Sequence, residues 1–502
     1  MRVKTTYSVW GLILSYSVLL SIIAVNRHYT FRTNAYDLGI FMQAIWSTAN
    51  GFRVLYNTIE EYQVCVTTHL GVHFSPILLV LVPIYKVFPH AETLLIIQTF
   101  VIALSAYPLF LLSKKVLHSE RLSLAIVVLY LMNSLLHGIN GYDFHATPFA
   151  LPFIFMTALY FERGEYRKAL VSSFFVLLVK EDAGLSILSL SMFYLLRNSK
   201  LFSLQTYKSL FEKILTNKLH PSEKTALIMG VLATSWVLIS WRVIIPHIAG
   251  VHITSAVYYA RFPCVEYIPM KILYFIVANL TLGLLTFLRP KYTFLLTFAP
   301  WLEILLSCEK NLFRIGFQYP YMILPLSLIS VIYTIRELQS NNLKKVFAVS
   351  VLVGILFSIL TTPILPLDNE IKKDLLVPPH YYQPITHHDR LLLDIIKVVD
   401  STNFSVLTQN DIFPHLANRI STYVIWSSYC GNTLPKTDII LLDNTLLYSV
   451  YNYRIKDHLR AYTKVYENDG IEVWIRNDVL ETSQATELVR KLQSLERNGK
   501  GF

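Results

Sequence analysis

The sequence predicts a mainly α-helical, polytopic membrane protein that ends in a small α/β domain. Hydrophobic residues make up 54% of the 502 residues and charged residues only 15%, whereas soluble domains carry about a quarter charged residues. Mean hydropathy is +0.46, and the apolar residues gather into long runs typical of membrane spans. The last quarter of the chain has short helical and strand patterns instead. Soluble-enzyme, disordered and nucleic-acid-binding classes are therefore disfavoured.

The net charge of +11 belongs to the membrane part of the chain. Residues 1–364 hold 29 Lys and Arg against 16 Asp and Glu, while residues 365–502 hold 15 against 17. Basic residues flank membrane spans on the cytoplasmic side. The excess positive charge therefore indicates orientation in a membrane, and the nearly neutral tail reads as a folded domain.

The membrane part contains nine candidate spans and one divided segment. The nine candidates are 7–25, 93–113, 121–138, 148–161, 225–246, 267–288, 291–308, 319–335 and 344–364, since a span needs about 20 apolar residues. The first is predicted to be a retained span, because it is longer than a signal-peptide core and no small-x-small site ends it.

Residues 169–196 form the divided segment. The apolar run Ala169–Val179 meets Lys180, Glu181 and Asp182 before a second run reaches Leu196. One straight helix would place three ionisable groups near mid-membrane at about 2.5–3.5 kcal/mol each. Two short helices avoid this cost and give eleven segments. The cytoplasmic segments then hold 19 Lys and Arg against 8 outside, as the positive-inside tendency requires.

This topology divides the chain into two parts. Residues 1–364 are a membrane domain with a cytoplasmic N-terminus and a long first outer loop at 26–92, and residues 365–502 are an extracytoplasmic α/β domain. All four cysteines fall on the outer side, where disulfides form. Three pairings, or four free thiols, remain open. The predicted elements of the tail are helices at 385–400 and 453–463, strands at 405–407, 423–426 and 438–442, and a hairpin of 464–467 with 471–475 about an Asn-Asp-Gly turn.

Asp37 opens the first cluster of chemistry-bearing residues. It begins a pattern in which Leu38, Phe41, Ile45 and Trp46 give one apolar helical face, as in a helix lying flat at a membrane surface. A carboxylate at this position caps free N–H groups in the ordinary case. The functional alternative is a base or metal ligand held at the membrane surface.

A second cluster lies later in the same loop. His69 and His73 have the i, i+4 spacing that places two imidazoles on one helical face, as in many metal sites. Gly71 between them weakens a helix, and no third ligand is adjacent in sequence. A metal site at Asp37, His69 and His73 is therefore a hypothesis.

Two further clusters fall on the same predicted outer face. Asp143 and His145 follow the third span, and would point the same way in an extended segment. Lys180, Glu181 and Asp182 form the break described above, where a Lys–carboxylate pair is the structural explanation and a functional site is the alternative. Together the clusters suit chemistry on a phosphate-bearing lipid, with Lys180 neutralising phosphate and a carboxylate activating an acceptor hydroxyl.

Six stretches of the chain resemble a known prokaryotic family. They are YDLGIFMQAIW, HLGVHFSPILL, YDFHATPFALP, LLVKEDAGLSI, GFQYPYMILP and SVLTQNDIFPHLANRISTYV. On these stretches the chain is similar to the polytopic family called domain of unknown function 2079. The last stretch carries the Pro-His-Leu-x-x-Arg pattern at Pro414, His415, Leu416 and Arg419 of the extracytoplasmic segment.

The architecture of that family in turn resembles the C-type glycosyltransferase superfamily. The resemblance implies a polyprenyl-phosphate sugar donor, with Asp37 at the acidic position of the first outer loop. Independently of the resemblance, the carboxylate of Asp37 or Asp143 could hold a divalent cation, Mg²⁺ or Mn²⁺ in preference to Zn²⁺. The chain departs from the superfamily pattern in two ways: no Asp-x-Asp or Glu-Asp pair stands near Asp37, and the paired histidines are not a general feature.

The leading hypothesis is a membrane glycosyltransferase acting on the outer face. Its partners would be a polyprenyl-phosphate sugar and a lipid, glycan or protein acceptor, and nucleic acid would not be one. Asp37 and Asp143 would be catalytic, and Lys180, Glu181, Asp182 and His145 would bind substrate phosphate. A transporter or lipid-handling protein without covalent chemistry is the alternative, although no internal repeat pairs the two halves. An envelope scaffold is the third hypothesis, and it leaves the Lys-Glu-Asp break unexplained.

Overall fold

The computed structural model describes residues 2–201, 203–250, 264–337, 341–426, 429–430 and 434–499. The chain is mainly helical, and a five-stranded sheet lies near its C-terminal end. The helices of the membrane part are α1 Arg2–Tyr29, α2 Ile40–Ala49, α3 Thr58–Val64, α4 Val82–Val87, α5 Ala91–Leu104, α6 Ala106–Leu117, α7 Glu120–Leu131, α8 Ser134–Gly141, α9 Ala150–Glu162, α10 Tyr166–Leu177, α11 Gly184–Leu196, α12 Leu204–Leu215, α13 Pro221–Ile239, α14 Ile245–Ala249, α15 Ile268–Leu280, α16 Pro290–Leu306, α17 Ile323–Glu337, α18 Asn341–Thr361 and α19 Glu370–Asp374.

Four helical stretches of the described residues are long and apolar enough to cross a membrane. They are Thr5–Tyr29, Ala91–Leu117, Pro221–Ala249 and Tyr319–Glu337, and α7 with α8 adds a fifth if this pair, bent by 49°, is one span. Three predicted spans correspond to shorter apolar helices, Thr147–Glu162, Ile268–Leu280 and Lys345–Thr361. The protein therefore has several membrane helices, but the predicted total of eleven is not confirmed.

Local backbone geometry explains one of the shortened spans. The predicted segment 267–288 is apolar throughout, but α15 ends at Leu280, and both Gly283 and Leu284 have positive φ. Hydropathy reports composition alone. It does not detect a left-handed turn that ends a helix.

The Lys-Glu-Asp segment separates two helices, as the sequence predicts. Helix α10 ends at Leu177 and α11 begins at Gly184, with a short 3₁₀ turn between them. Helix α11 packs against α13 and α16, whereas α10 packs mainly on α9. The break thereby places three charged side chains where two helix ends meet.

The segment 26–92, predicted as the first outer loop, folds inward. Leu38 and Ile45 are fully buried, and Phe41 is 7% exposed. The apolar face of α2 therefore packs against protein, and the predicted helix lying flat on lipid is not what forms. The sequence alone does not distinguish the two arrangements, because an apolar helix face can be buried equally well in a bilayer or in a protein core.

The C-terminal domain is an α/β sheet with two helices, α20 His387–Asp400 and α21 Ser483–Gly499. Its strands are β1 Val406–Thr408, β2 Thr422–Val424, β3 Ile439–Asp443, β4 Tyr462–Asn468 and β5 Ile471–Arg476. They lie in the order β2-β1-β3-β5-β4, with β1, β2 and β3 parallel and the β4–β5 hairpin antiparallel. Helix α20 begins at a capping box between Thr386 and Asp389.

Most predicted elements of this domain are confirmed within one or two residues. The hairpin turns at Asp469 and Gly470, both with positive φ, which is the geometry that Asp-Gly favours. The helix predicted at 453–463 is wrong, because 3₁₀ turns occupy Leu447–Ile455 and His458–Ala461. Helix α21 was not predicted.

The C-terminal domain is tied to the first outer loop. Disulfides join Cys65 to Cys430 and Cys264 to Cys308, which selects one of the three possible pairings. The backbone N–H of Ala35 donates to the carbonyl oxygen of Asn410 at 2.8 Å. The imidazole of His415 stacks on that of His28 at the end of α1, with centroids 3.9 Å apart. The loop around Asp37 is thus held between the membrane helices and the sheet.

Candidate functional site

A cavity of about 480 Å³ lies where the first outer loop, the helix breaks and the C-terminal domain meet. Six stretches of the chain contribute to its wall. The charged and aromatic side chains of this wall include Tyr36, Asp37, Phe41, Glu60, His69, His73, Tyr142, His145, Lys180, Glu181, Asp182, Glu303, Glu309, Phe317, Tyr319, Tyr321 and Trp426. The sequence-predicted candidates Asp37, His69, His73, His145, Lys180, Glu181 and Asp182 therefore share one cavity, as the clustering hypothesis requires.

Asp37 and His145 form a pair in the cavity wall. Asp37 lies in a π-helical turn, Ala35–Gly39, that precedes α2, and such turns are frequent at functional sites. Its Oδ1 is 3.0 Å from Nε2 of His145, so the carboxylate does not act as a helix cap. Nδ1 of His145 lies 3.2 Å from the carbonyl oxygen of Tyr142. Because a carbonyl only accepts, Nδ1 carries a hydrogen, and the Asp37–His145 contact must itself contain a proton.

Asp143 lies behind the cavity wall. It is 1% exposed, and its Oδ1 is 3.2 Å from Arg27. Its Oδ2 accepts from the backbone N–H of Asn34 at 2.7 Å and from the Asn34 amide at 3.1 Å. Burial raises the pKa of Asp143 to about 6, although Arg27 opposes this.

This location does not fit the catalytic role that the sequence suggests for Asp143. Both carboxylate oxygens are engaged by protein, and neither faces the cavity. Asp143 holds the segment that leads to Asp37, and so acts as a positioning residue. The positive φ of Asp143 also shows that the segment 143–145 is not extended, contrary to the expectation from the sequence. Asp143 and His145 both reach the segment 34–37, but at different residues.

His69 and His73 are each oriented by a buried carboxylate. Nδ1 of His69 is 2.7 Å from Glu60, and Nδ1 of His73 is 2.9 Å from Glu181. The two ring centroids are 5.8 Å apart, so the predicted neighbourhood is present, built on one 3₁₀ turn and not on a helix. Burial raises the pKa of Glu181, but His73 and Lys180 outweigh burial and lower it to about 2.

Lys180 is paired within its own cluster. Its ammonium group is 2.6 Å from Asp182, whose other oxygen accepts from the Tyr321 hydroxyl at 2.5 Å. Burial lowers the pKa of Lys180, whereas Asp182 and Glu181 raise it more, so the group stays charged. Glu181 and Asp182 are anionic anchors for His73 and Lys180, which does not fit their predicted role as phosphate-binding groups. His145 likewise contacts Asp37.

The charge of the cavity is mostly negative. Six carboxylates line it, from Asp37, Glu60, Glu181, Asp182, Glu303 and Glu309, against Lys180 and three histidines. An anionic ligand is therefore held only near Lys180 or with protonated histidines. Carboxylates also accept strong hydrogen bonds from neutral hydroxyls, so the rest of the cavity suits an uncharged polyol.

Several site residues were missed by sequence reasoning. Glu303 lies in a predicted span, where an ionisable residue indicates function, and this signal was present in the sequence. Glu60 has no such signal, because exposed loops are rich in carboxylates. Tyr36 and Trp426 reach the cavity from residues 390 apart in the chain, and only the docking of the C-terminal domain brings their ring centroids to 4.3 Å.

The predicted metal ligands do not form a metal-binding geometry. Over the described part of the chain, the one group of three His, Cys, Asp or Glu side chains with ligand atoms within 4.8 Å is Cys264, Glu266 and Cys308. Its two cysteines form a disulfide, so thiolate ligation is excluded there. The carboxylate–histidine pairs resemble the outer partners of metal sites, but Asp37 is held on His145 and does not complete a set of three with His69 and His73.

Comparison with known proteins identifies a family and no activity. A family model described as "Predicted membrane protein (DUF2079)" matches residues 27–473. This range covers the cavity, all membrane helices after the first, and the C-terminal sheet as far as the first half of β5. No curated protein matches the chain.

Proposed function

We infer a function from the premise that the chain belongs to the DUF2079 family of predicted membrane proteins, whose description names no activity. We propose that it is a membrane glycosyltransferase that takes a sugar from a polyprenyl-phosphate donor at the outer face of the membrane. The observation that carries this proposal is the Asp37–His145 pair in the wall of a cavity rich in carboxylates and aromatic rings.

The cavity has the chemistry that a sugar ring requires. Carboxylates accept hydrogen bonds from sugar hydroxyls, and aromatic rings pack against apolar C–H faces. Tyr142 and Phe317 form such a surface, with ring centroids 4.3 Å apart. A volume of about 480 Å³ falls within the range of small-molecule sites.

The Asp37–His145 pair supplies a base for an inverting transfer. The acceptor O–H attacks the anomeric carbon, the bond from that carbon to the phosphate oxygen breaks, and the lipid phosphate leaves with the bonding electrons. The acceptor proton passes to the Asp37 carboxylate. His145, held by the Tyr142 carbonyl, fixes the carboxylate in place and stabilises its charge before transfer.

Lys180 and His73 are the groups that suit the phosphate. Lys180 lies on the helix break, and His73 is held beside the break through Glu181. The side chain of Lys180 is 16% exposed, while Asp182 fixes the position of its ammonium group. Phosphate at this end and a sugar at Asp37 would place the scissile bond between the two clusters.

The proposal includes the orientation and the eleven membrane segments inferred from the sequence. It places the N-terminus in the cytoplasm and the cavity with the C-terminal domain outside. Two disulfides, both on the cavity side of the molecule, support this orientation, because disulfides persist in oxidising compartments. The 19 to 8 distribution of Lys and Arg supports it independently.

The test is mass spectrometry of lipid-linked sugars and envelope glycans. A deletion strain is compared with the same strain carrying wild type or Asp37→Asn. A glycan mass that is lost on deletion and restored by wild type alone supports the transferase and identifies the sugar. Unchanged glycans in a strain with a clear phenotype would instead favour a transporter or lipid-handling protein.

A further inference from the structure

A series of aromatic ring contacts joins the cavity to the C-terminal domain. Tyr36 and Trp426 line the cavity, with ring centroids 4.3 Å apart. Trp426 is followed by Tyr451 at 5.2 Å and Tyr451 by Tyr448 at 6.3 Å. We call these four residues the aromatic row. The row connects the site at Asp37 with the exposed 3₁₀ segment Leu447–Ile455.

The rings of the row are half-buried and remain partly accessible. Their neighbours on the same segment are more exposed, with Leu447 at 77% and Val450 at 64%. Aromatic rings that only fill a hydrophobic core are usually fully buried. A partly open row that begins in a cavity offers a continuous stacking surface to a ligand that occupies both.

Polar atoms accompany the row. Tyr36 Oη and Asn452 Oδ1 are buried and have no hydrogen-bond partner among the described residues. Buried polar atoms normally have one. Asn452 is adjacent in sequence to Tyr451, so two buried polar atoms without a described partner lie beside the partly accessible rings.

We propose that the aromatic row is the binding site for a saccharide acceptor chain, whose end reaches the carboxylates of the cavity. Pyranose rings present apolar C–H faces for stacking and hydroxyls that both donate and accept. Nucleic acid bases also stack, but a strand would bring several phosphodiesters to a cavity wall whose described residues include six carboxylates and one lysine. A lipid chain would pair with none of the carboxylates in the cavity where the row begins.

This inference rests on the proposed function for the direction of transfer, but not for binding. The row leads the end of a saccharide to Asp37, where its terminal hydroxyl becomes the nucleophile. The C-terminal domain would thereby determine which acceptor is used. Binding itself requires no donor and is measured separately.

The experiment uses the full chain in lipid nanodiscs and four defined probes, the tetrasaccharides of glucose, mannose, galactose and N-acetylglucosamine. Binding is measured by saturation-transfer NMR and calorimetry. We expect at least one tetrasaccharide to bind, and Trp426→Ala or Tyr451→Ala to weaken it about tenfold or more. Tyr451→Phe keeps the ring and should bind within about threefold of wild type.

Tyr453→Ala is the matched control, because Tyr453 lies on the same segment, is 55% exposed and is outside the row. It should bind within about twofold of wild type. The proposal is overturned if none of the four probes binds, or if loss of Trp426 and loss of Tyr451 leave affinity unchanged in folded protein. Binding that follows the row in a protein whose deletion leaves glycans unchanged would retain this site and reject the transferase.

Discussion

Replacing Asp37 by Asn changes one charge and almost no shape. Asn can turn its amide N–H toward Nε2 of a neutral His145, whose Nδ1 keeps its hydrogen toward the Tyr142 carbonyl, so the 3.0 Å contact survives. What is lost is the negative charge that takes a proton from the acceptor hydroxyl. We therefore expect Asp37→Asn to abolish transfer while the protein folds and accumulates normally.

The size of both effects follows from the site. A positioned general base contributes about 10²–10⁴-fold to a rate, which corresponds to about 3–5 kcal/mol of activation free energy. Stability should fall by no more than about 1–2 kcal/mol, because Asp37 is 15% exposed and its hydrogen bond survives in neutral form. Activity and stability are thereby separated by this one substitution.

The assay compares turnover and melting temperature in the same purified preparations, with glycan analysis of complemented cells beside it. Asp457→Asn is the control, since Asp457 is a 90% exposed carboxylate of the C-terminal domain. It should leave both quantities unchanged. Turnover by Asp37→Asn within about threefold of wild type, in protein of normal stability, would refute the assignment of Asp37 as the base.

Three further predictions concern stability and membrane contact. Cys65→Ser, or equally Cys430→Ser, removes the disulfide and should lower the free energy of unfolding by about 2–5 kcal/mol. It should also expose the C-terminal domain to limited proteolysis. Unchanged proteolysis would show that docking of the C-terminal domain on the loop 26–92 does not need the bond. Burial raises the pKa of Asp411 from 3.8 to about 6. The unfolded chain therefore ionises first, and this residue costs stability as pH rises from 4 to 6, by up to about 3 kcal/mol above pH 6. Asp411→Asn should accordingly be more stable than wild type at pH 7.5 and nearly equal at pH 4, and an equal difference at both pH values would contradict this. Phe211 is 60% exposed and lies on an apolar face of α12. A spin label at Phe211 should therefore be reached by oxygen dissolved in lipid, and a spin label at Glu212 by a water-soluble nickel complex. Equal access of the nickel complex to both positions would place the helix in water.

Local patterns in the sequence predicted the parts of the fold that depend on local physics. The break at Lys180 follows from the cost of charge in a membrane, and the turn at Asp469 from backbone preference. The cap at Thr386 and the alternation in the strands are also encoded within a few residues. The helix predicted at 453–463 failed for the opposite reason, because tertiary contacts of Tyr451 and Ile455 override a weak helical pattern.

The candidate site was predicted as a set of residues but not as a set of roles. Sequence reasoning placed seven of its side chains on one face, and the cavity brings those seven together. For several of them, the role depends on a partner more than 100 residues away in the chain. Arg27 takes Asp143 out of the cavity, and Glu181 holds His73, and no spacing rule contains such pairings.

The placement of Asp37 depends on both parts of the protein. On one side, Asp143 fixes Asn34 from the membrane helices at 2.7 Å. On the other, Asn410, in the turn after β1, accepts from the backbone N–H of Ala35 at 2.8 Å, and the Cys65–Cys430 disulfide closes the far end of the same loop. A loop held at both ends keeps its carboxylate in one position without a regular helix to support it. A base that must meet a substrate from the membrane and an acceptor from outside requires such a fixed position. The membrane part alone would retain Asp143, His145 and Lys180 but lose the contacts that orient Asp37, so the C-terminal domain is a structural part of the site as well as a surface for the acceptor.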